Sequence, residues 1–297
     1  MNAAVEELKS PTSQEELRIK KDELRRELNR IRKYTPKIGV FGDTGVGKSS
    51  LCNALFGQDI AQISDVEACT REPQEILVSN ENGGGIVLVD VPGVGEDAAR
   101  HDEYMELYKN LSPKLDLILW IIKADDRKYM SALDVYNKIL KPNLDKTPVL
   151  FVINQIDKIE PIAEWYEQGK SRLGSKQEEN LNKKVSDIAK VFDVNKENIA
   201  YASTKGRTYL KELVNRIVDV LPNEKKYSVV REAEEENVNE EAATKAEKGI
   251  WEHLKQKAGQ AWDYIKDDVA EIAIESVKKY GPVLAKAVFN FFKSKLG

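Results

Sequence analysis

The sequence predicts an α/β fold: a doubly wound, mostly parallel sheet of six strands, flanked by a helical module formed by the N- and C-terminal helices. Three observations carry that prediction. The runs LDLILWII (115–122) and PVLFVIN (148–154) are apolar on both faces, as strands covered by helices on two sides must be. Such runs alternate with stretches of helical periodicity, the order that builds a parallel sheet through crossover helices. The apolar run 38–41 leads into Gly42 to Ser49, with the spacing glycine, four residues, then Gly-Lys-Ser, and an apolar segment follows. That is strand, phosphate-binding loop, helix.

The elements follow in order. Residues 1–33 read as a helix outside the sheet, with Thr12 or Ser13 as cap, Glu15 and Glu16 in the first turn, and Leu17, Leu24, Leu28 and Ile31 as a narrow stripe. Pro36 ends it. Strands are expected at 38–42, 75–79, 86–90, 115–122, 149–154 and 199–203, with residues 80–85 as a hairpin turn and hence one antiparallel pair at the sheet edge. After Pro222 the stretch 232–241 is rich in glutamate and reads as a linker or the exposed start of a helix. Trp251, Ala258, Ile265 and Ile272 then recur at heptad spacing, widened by Leu254, Ala261, Trp262 and Val269. Either this stripe meets the N-terminal one in a helical module, or each packs separately on the outer helices. The chain thus divides into 1–35, 36–222 and 223–297. Gly281 and Pro282 precede a last helix, 283–296, whose apolar face (Val283, Leu284, Ala287, Val288, Phe291, Phe292, Leu296) and basic rim suit a membrane surface or a docked terminal helix.

Composition narrows the function class. The 297 residues, 41% hydrophobic, suffice for a full α/β core. Charge is high but balanced at −4, so nucleic acid is not expected as a partner. Two cysteines point to a reducing compartment. With no signal-peptide pattern and no run of eighteen apolar residues, the expected location is cytoplasmic, peripheral to the inner membrane if the last helix binds lipid.

The loop defines the chemistry. Gly42, Gly45 and Gly47 permit positive φ, so the backbone of Asp43, Thr44, Gly45, Val46, Gly47, Lys48, Ser49 and Ser50 can wrap phosphate oxygens at a helix N-terminus. Lys48 supplies charge for the β- and γ-phosphates, and the Ser49 hydroxyl can ligate Mg²⁺. The third strand ends in DVPG, where Asp90 can hold the metal shell and Gly93 can offer its N–H to a γ-phosphate. Thr70, in the polar stretch between, is either a third metal ligand or a plain loop hydroxyl. Lys48, Thr70 and Gly93 are therefore the candidate catalytic set. The fifth strand ends in NQID, Asn154 to Asp157. A carboxylate at Asp157 can accept from both N1–H and the N2 amino group of guanine, a donor pair adenine lacks. Asn154 can brace the phosphate loop, while Ser203 and Thr204, with Gln155, complete the guanine contacts.

Taken together, GDTGVGKS, Thr70, DVPG, NQID and STK resemble the guanine-nucleotide domain of translation-factor-class GTPases, in the Era/TrmE-like branch. CNALFG, SDVEACTRE, DVPGVGE and LWIIKADDR are similar to the prophage-associated YfjP-type GTPases of bacteria. The resemblance covers residues 34–221 and implies GTP/GDP and Mg²⁺ binding, a nucleotide switch and slow hydrolysis. Three departures stand out. The family lysine of NKxD is Gln155. The fourth loop residue, asparagine where potassium activates, is Gly45. Val94 follows Gly93, where Ras-like proteins place a water-positioning glutamine. The hydrolytic group is then Glu96, Asp97 or Arg71, or arrives in trans from a partner protein or from a second copy in a GTP-dependent dimer. His101 and His253 read as surface residues. A GTP-bound scaffold with negligible turnover is the alternative.

Overall fold

The computed structural model describes residues 14–57, 73–79, 85–91, 101–126, 129–169 and 171–268. Six strands, β1 (Lys37–Phe41), β2 (Gln74–Ser79), β3 (Gly85–Asp90), β4 (Leu117–Lys123), β5 (Val149–Asn154) and β6 (Ile199–Tyr201), form one sheet in the order β2-β3-β1-β4-β5-β6. All neighbours run parallel except β2, which pairs antiparallel with β3 at the edge. The helices are α1 (Gln14–Lys33), α2 (Lys48–Phe56), α3 (His101–Leu111), α4 (Met130–Val135, continued by a π-helical turn Tyr136–Leu140), α5 (Ile162–Glu167), α6 (Ser175–Phe192), α7 (Leu210–Val220), α8 (Asn223–Glu232) and α9 (Glu240–Ala258).

Alternation along the strands builds two cores. Ile38, Val40, Leu88, Leu119, Ile121, Leu150 and Val152 join α1, α2, α7, α8 and α9 on one face. Phe41, Val89, Ile118, Trp120, Ile122, Phe151 and Ile153 join α3, α4 and α6 on the other. Side chains one residue apart on a strand point to opposite faces, so the doubly apolar runs follow directly from two covered faces.

The terminal helices share the sheet's core rather than building one of their own. Leu24, Leu28 and Ile31 of α1 belong to the same buried cluster as Ile250, Leu254, Ala258, Ala261 and Ile265 and the sheet residues Ile76 and Val78. His253 Nε2 lies 2.6 Å from Glu27 Oε1, joining α9 to α1. Residues 269–297, which include Ile272 and the last predicted helix, lie outside the described residues, as do Thr12, Ser13 and residues 80–84 of the hairpin turn.

Three local departures from the expected elements have clear causes. Strand β4 starts at Leu117 because Ser112–Lys114 make a 3-10 turn and Asp116 is spent on its side chain. The Asp116 carboxylate accepts from the Tyr34 hydroxyl at 2.8 Å and from the Lys37 N–H at 2.8 Å, and Lys225 lies 2.6 Å away. Burial and this carboxylate both push the Tyr34 phenol pKa up. Strand β6 stops at Tyr201 because Ser203 turns to pair with Thr208. The stretch 232–241 is not a linker: Glu240 and Glu241 are the exposed first turn of α9, as one reading had it, while Glu232, Ala233 and Asn237 before them are buried. Glu232 is buried against Arg231, which also donates to the carbonyls of Arg32 and, at 2.9 Å, of Tyr34 just past α1. Beyond it, Glu234 N–H donates to Leu55 O at 2.8 Å and Asn237 Nδ2 to Ala54 O at 2.7 Å. The exposed glutamates give the segment its charge, while one backbone N–H and the Asn237 amide fasten it to the carbonyls that end α2.

Candidate functional site

Helix α2 begins at Lys48 with Gly47 at its cap in a left-handed conformation, φ 88° and ψ 33°, without a side-chain cap. Its first amides therefore look toward the loop, and the helix dipole favours an anion there. Gly45, at φ 81°, has nothing within 4 Å of where a Cβ would stand, so the loop borders open space. At Gly42 the same atom would meet Ile121 O at 2.4 Å, and at Gly47 Asn154 Nδ2 at 2.6 Å. Those glycines are set by close approach as well as by φ. Asp43, Thr44 and Gly45 are exposed, Val46 is buried, Ser50 is exposed and Ser49 half-buried. The Lys48 ammonium donates to Gly42 O at 3.0 Å and stands 3.9 Å from Asp90 Oδ1 at the end of β3. Ser49 and Asp90 thus offer hydroxyl and carboxylate oxygens beside the loop, a donor set suited to a hard cation that keeps phosphate and water ligands.

Behind Lys48 on the same helix, Cys52 is buried, and burial, with Asp90 nearby, pushes its thiol up to about 12. It belongs to the core.

The end of β5 reaches the phosphate loop directly. Asn154, fully buried, donates through Nδ2 to Val46 O at 2.8 Å, and its Oδ1 has no hydrogen-bond partner among the described residues. Gln155, at φ 60°, donates through Nε2 to Gly45 O at 3.0 Å. Asp157 is 5% exposed, and the Ser203 hydroxyl lies 2.5 Å from its Oδ1, so β6's end steadies the carboxylate. Thr204 follows in the turn that Arg207 N–H closes onto Thr204 O. The structure therefore gathers Asp43 to Ser50, Asp90, Asn154, Gln155, Asp157, Ser203 and Thr204 at the carboxyl ends of the strands, where doubly wound folds bind ligands. Thr70 and Gly93 lie outside the described residues, as do Arg71, Val94, Glu96 and Asp97.

Residues that the motif reading passed over also border the site. Lys158 Nζ contacts Gln155 Oε1 at 2.6 Å, and Lys205 Nζ lies 3.3 Å from the Tyr166 hydroxyl. The first was readable from its i+3 spacing to Gln155. The second joins loops distant in sequence and carried no local signal. Arg207 donates to Ala54 O at 3.0 Å and pairs with Glu236, tying the base-side loop to the C-terminal segment.

The stretch from the first residue of β1 to Gln155, residues 37–155, matches the family model described as 50S ribosome-binding GTPase. The class is thereby given: a GTP-binding P-loop GTPase. Over 209 residues the chain is 40% identical to YkfA of Escherichia coli (strain K12), covering 70% of each protein. It is 38% identical to YfjP of the same organism over 205 residues, 69% of this chain and 68% of that protein. The chain belongs to the family of these two proteins. Among solved structures, an Era variant from Aquifex aeolicus bound to GDP and AlF₄⁻ overlays with a TM-score of 0.45 at 24% identity, covering 67% of this chain and 66% of that one.

Proposed function

We propose that the chain binds GTP and GDP through the 42–50 loop and the loops at 154–157 and 203–204, with Mg²⁺ held through Ser49, Asp90 and Thr70, and hydrolyses GTP slowly. One observation supports this most: two carboxamides from the loop bearing Asp157 reach carbonyls of the phosphate loop, at 2.8 Å from Asn154 and 3.0 Å from Gln155. A ligand that fills both loops must carry phosphates at one end and a base with paired donors at the other. Asp157, oriented by Ser203, accepts two hydrogen bonds from guanine; Lys48 and the loop amides hold the phosphates; the metal would neutralise charge developing between the β- and γ-phosphates. Gly93 is assigned to the γ-phosphate. Switching is read out through the terminal segments 1–35 and 223–297, which flank a nucleotide-binding body at 36–222, toward a protein effector. Residues 283–296 serve either as a docked terminal helix or as a membrane-surface helix; vesicle co-sedimentation against a chain ending at Lys279 decides, and equal binding by both removes the membrane reading.

The test of base reading is Asp157→Asn. Its amide donates where the carboxylate accepted, so GTP affinity should fall roughly a hundredfold while XTP, with a carbonyl in place of the amino group, gains on GTP. An unchanged preference for GTP would refute the assignment. For hydrolysis, Val94 cannot orient water, and a group supplied across a homodimer in the GTP state fits a slow single chain. Phosphate release per chain should then rise with protein concentration. Turnover of tens per second at high dilution contradicts the proposal, and no release at any concentration favours a GTP-bound scaffold.

A further inference from the structure

The contact between Gln155 and the phosphate loop is itself held in place. Gln155 follows β5 in the left-handed conformation, φ 60° and ψ 40°, and its Nε2 donates to the Gly45 carbonyl at 3.0 Å. The next three residues, Ile156–Lys158, form a 3-10 turn closed by Lys158 N–H onto Gln155 O at 2.9 Å. Residues three apart eclipse in such a turn, so Lys158 stands over Gln155. Its Nζ contacts Gln155 Oε1 at 2.6 Å, and among the described residues it makes no ion pair with a carboxylate. A cation on the amide oxygen polarises the amide, strengthens its N–H as a donor and fixes which end of the carboxamide faces Gly45.

We propose that Lys158 is a positioning residue for the nucleotide pocket: through Gln155 it fixes the spacing between the phosphate loop and the base loop. The proposal rests on the assignment of 154–157 as the base loop. That spacing matters only to a ligand that spans both loops. A nucleoside diphosphate feels it, whereas tripolyphosphate, which needs only residues 42–50, does not. Lys158 is exposed, so its truncation removes no core packing.

The experiment measures GDP dissociation with a fluorescent GDP, and tripolyphosphate affinity by competition, for Lys158→Ala, Lys158→Arg, Gln155→Ala, the double alanine variant and Asp157→Ala. The expected result is GDP release roughly tenfold faster in both single alanine variants, from loss of one charge-assisted contact. The double variant should be no faster than Gln155→Ala, arginine should restore most of the wild-type rate, and tripolyphosphate affinity should be unchanged throughout. Wild-type release from Lys158→Ala, or effects that add in full in the double variant, overturns the proposal. Equal loss of tripolyphosphate affinity overturns it too. Should Asp157→Ala also release GDP at the wild-type rate, the base-loop assignment itself has failed, an outcome distinct from failure of Lys158 alone.

Discussion

Replacing Glu247 with glutamine should remove a pH dependence from the stability of the fold. Glu247 sits on α9 and is 3% exposed, with no cation paired to its carboxyl among the described residues. Burial raises its pKa from the usual 4.5 to about 7, with the Trp251 indole, one turn along, pulling the other way. Between those two values the native state keeps a proton that the unfolded chain has released. Stability contributed by the neutral acid is therefore full below pH 4.5 and is lost as pH rises toward 7. At 1.36 kcal/mol per unit, the loss across the window is about 3 kcal/mol. The Glu27 carboxyl, held at about 2 first by Arg30 and then by His253, acts oppositely: its contribution is present above 4.5 and lost only as pH falls toward 2. Urea unfolding at about pH 5 and about pH 8 separates the two. The wild type should lose about 3 kcal/mol between these conditions through Glu247, and Glu247→Gln, which mimics the protonated acid, should lose that much less. A variant with the wild-type pH slope would show that Glu247 is ionised, or hydrated, in the native state.

Other perturbations follow from the same geometry. Gly57→Ala places a methyl 1.3 Å from Glu234 Oε1 at φ 75°, so it should cost about 1–2 kcal/mol in thermal unfolding, part of it recovered by adding Glu234→Ala. Asp116→Ala strands Lys225, the Tyr34 hydroxyl and the Lys37 N–H together, and should lower stability by about 3 kcal/mol in denaturant titration. Cys52 should resist alkylation in the native protein at pH 8 and react once urea unfolds it, since its thiol is held at about 12; labelling at the free-thiol rate would contradict the burial.

Much of the sheet was legible because two covered faces leave an unmistakable pattern in β4 and β5. The phosphate loop was legible because glycine at Gly42 and Gly47 is forced by close approach, which a local motif preserves. Other features depend on contacts made only after folding. Helix α8 carries mixed polarity and gave no clean stripe, yet Tyr227, Val229 and Val230 are buried against α9 and β3. Arg231 looks like any surface arginine until the carbonyls of Arg32 and Tyr34 arrive beside it. In the glutamate-rich stretch composition points to solvent, where Glu235, Glu236, Glu240 and Glu241 do stand, but it gives no sign of the buried Glu232 and Asn237 among them. Gln155 stands where the resemblance places a lysine. Its contact with Gly45 comes with a left-handed backbone that sequence alone does not announce.

The clasp of 234–237 on the end of α2 makes that helix a short lever. Nine residues span roughly 13 Å, with Lys48 at one tip and the Ala54 and Leu55 carbonyls, held by Asn237 and Glu234, at the other. Lifting the clasp would leave the Ala54 and Leu55 carbonyls without these donors, at the end of the helix that presents the loop. Of the contacts on that tip, a chain cut at Pro222 would lose those of Glu234 and Asn237 and keep that of Arg207 on the Ala54 carbonyl.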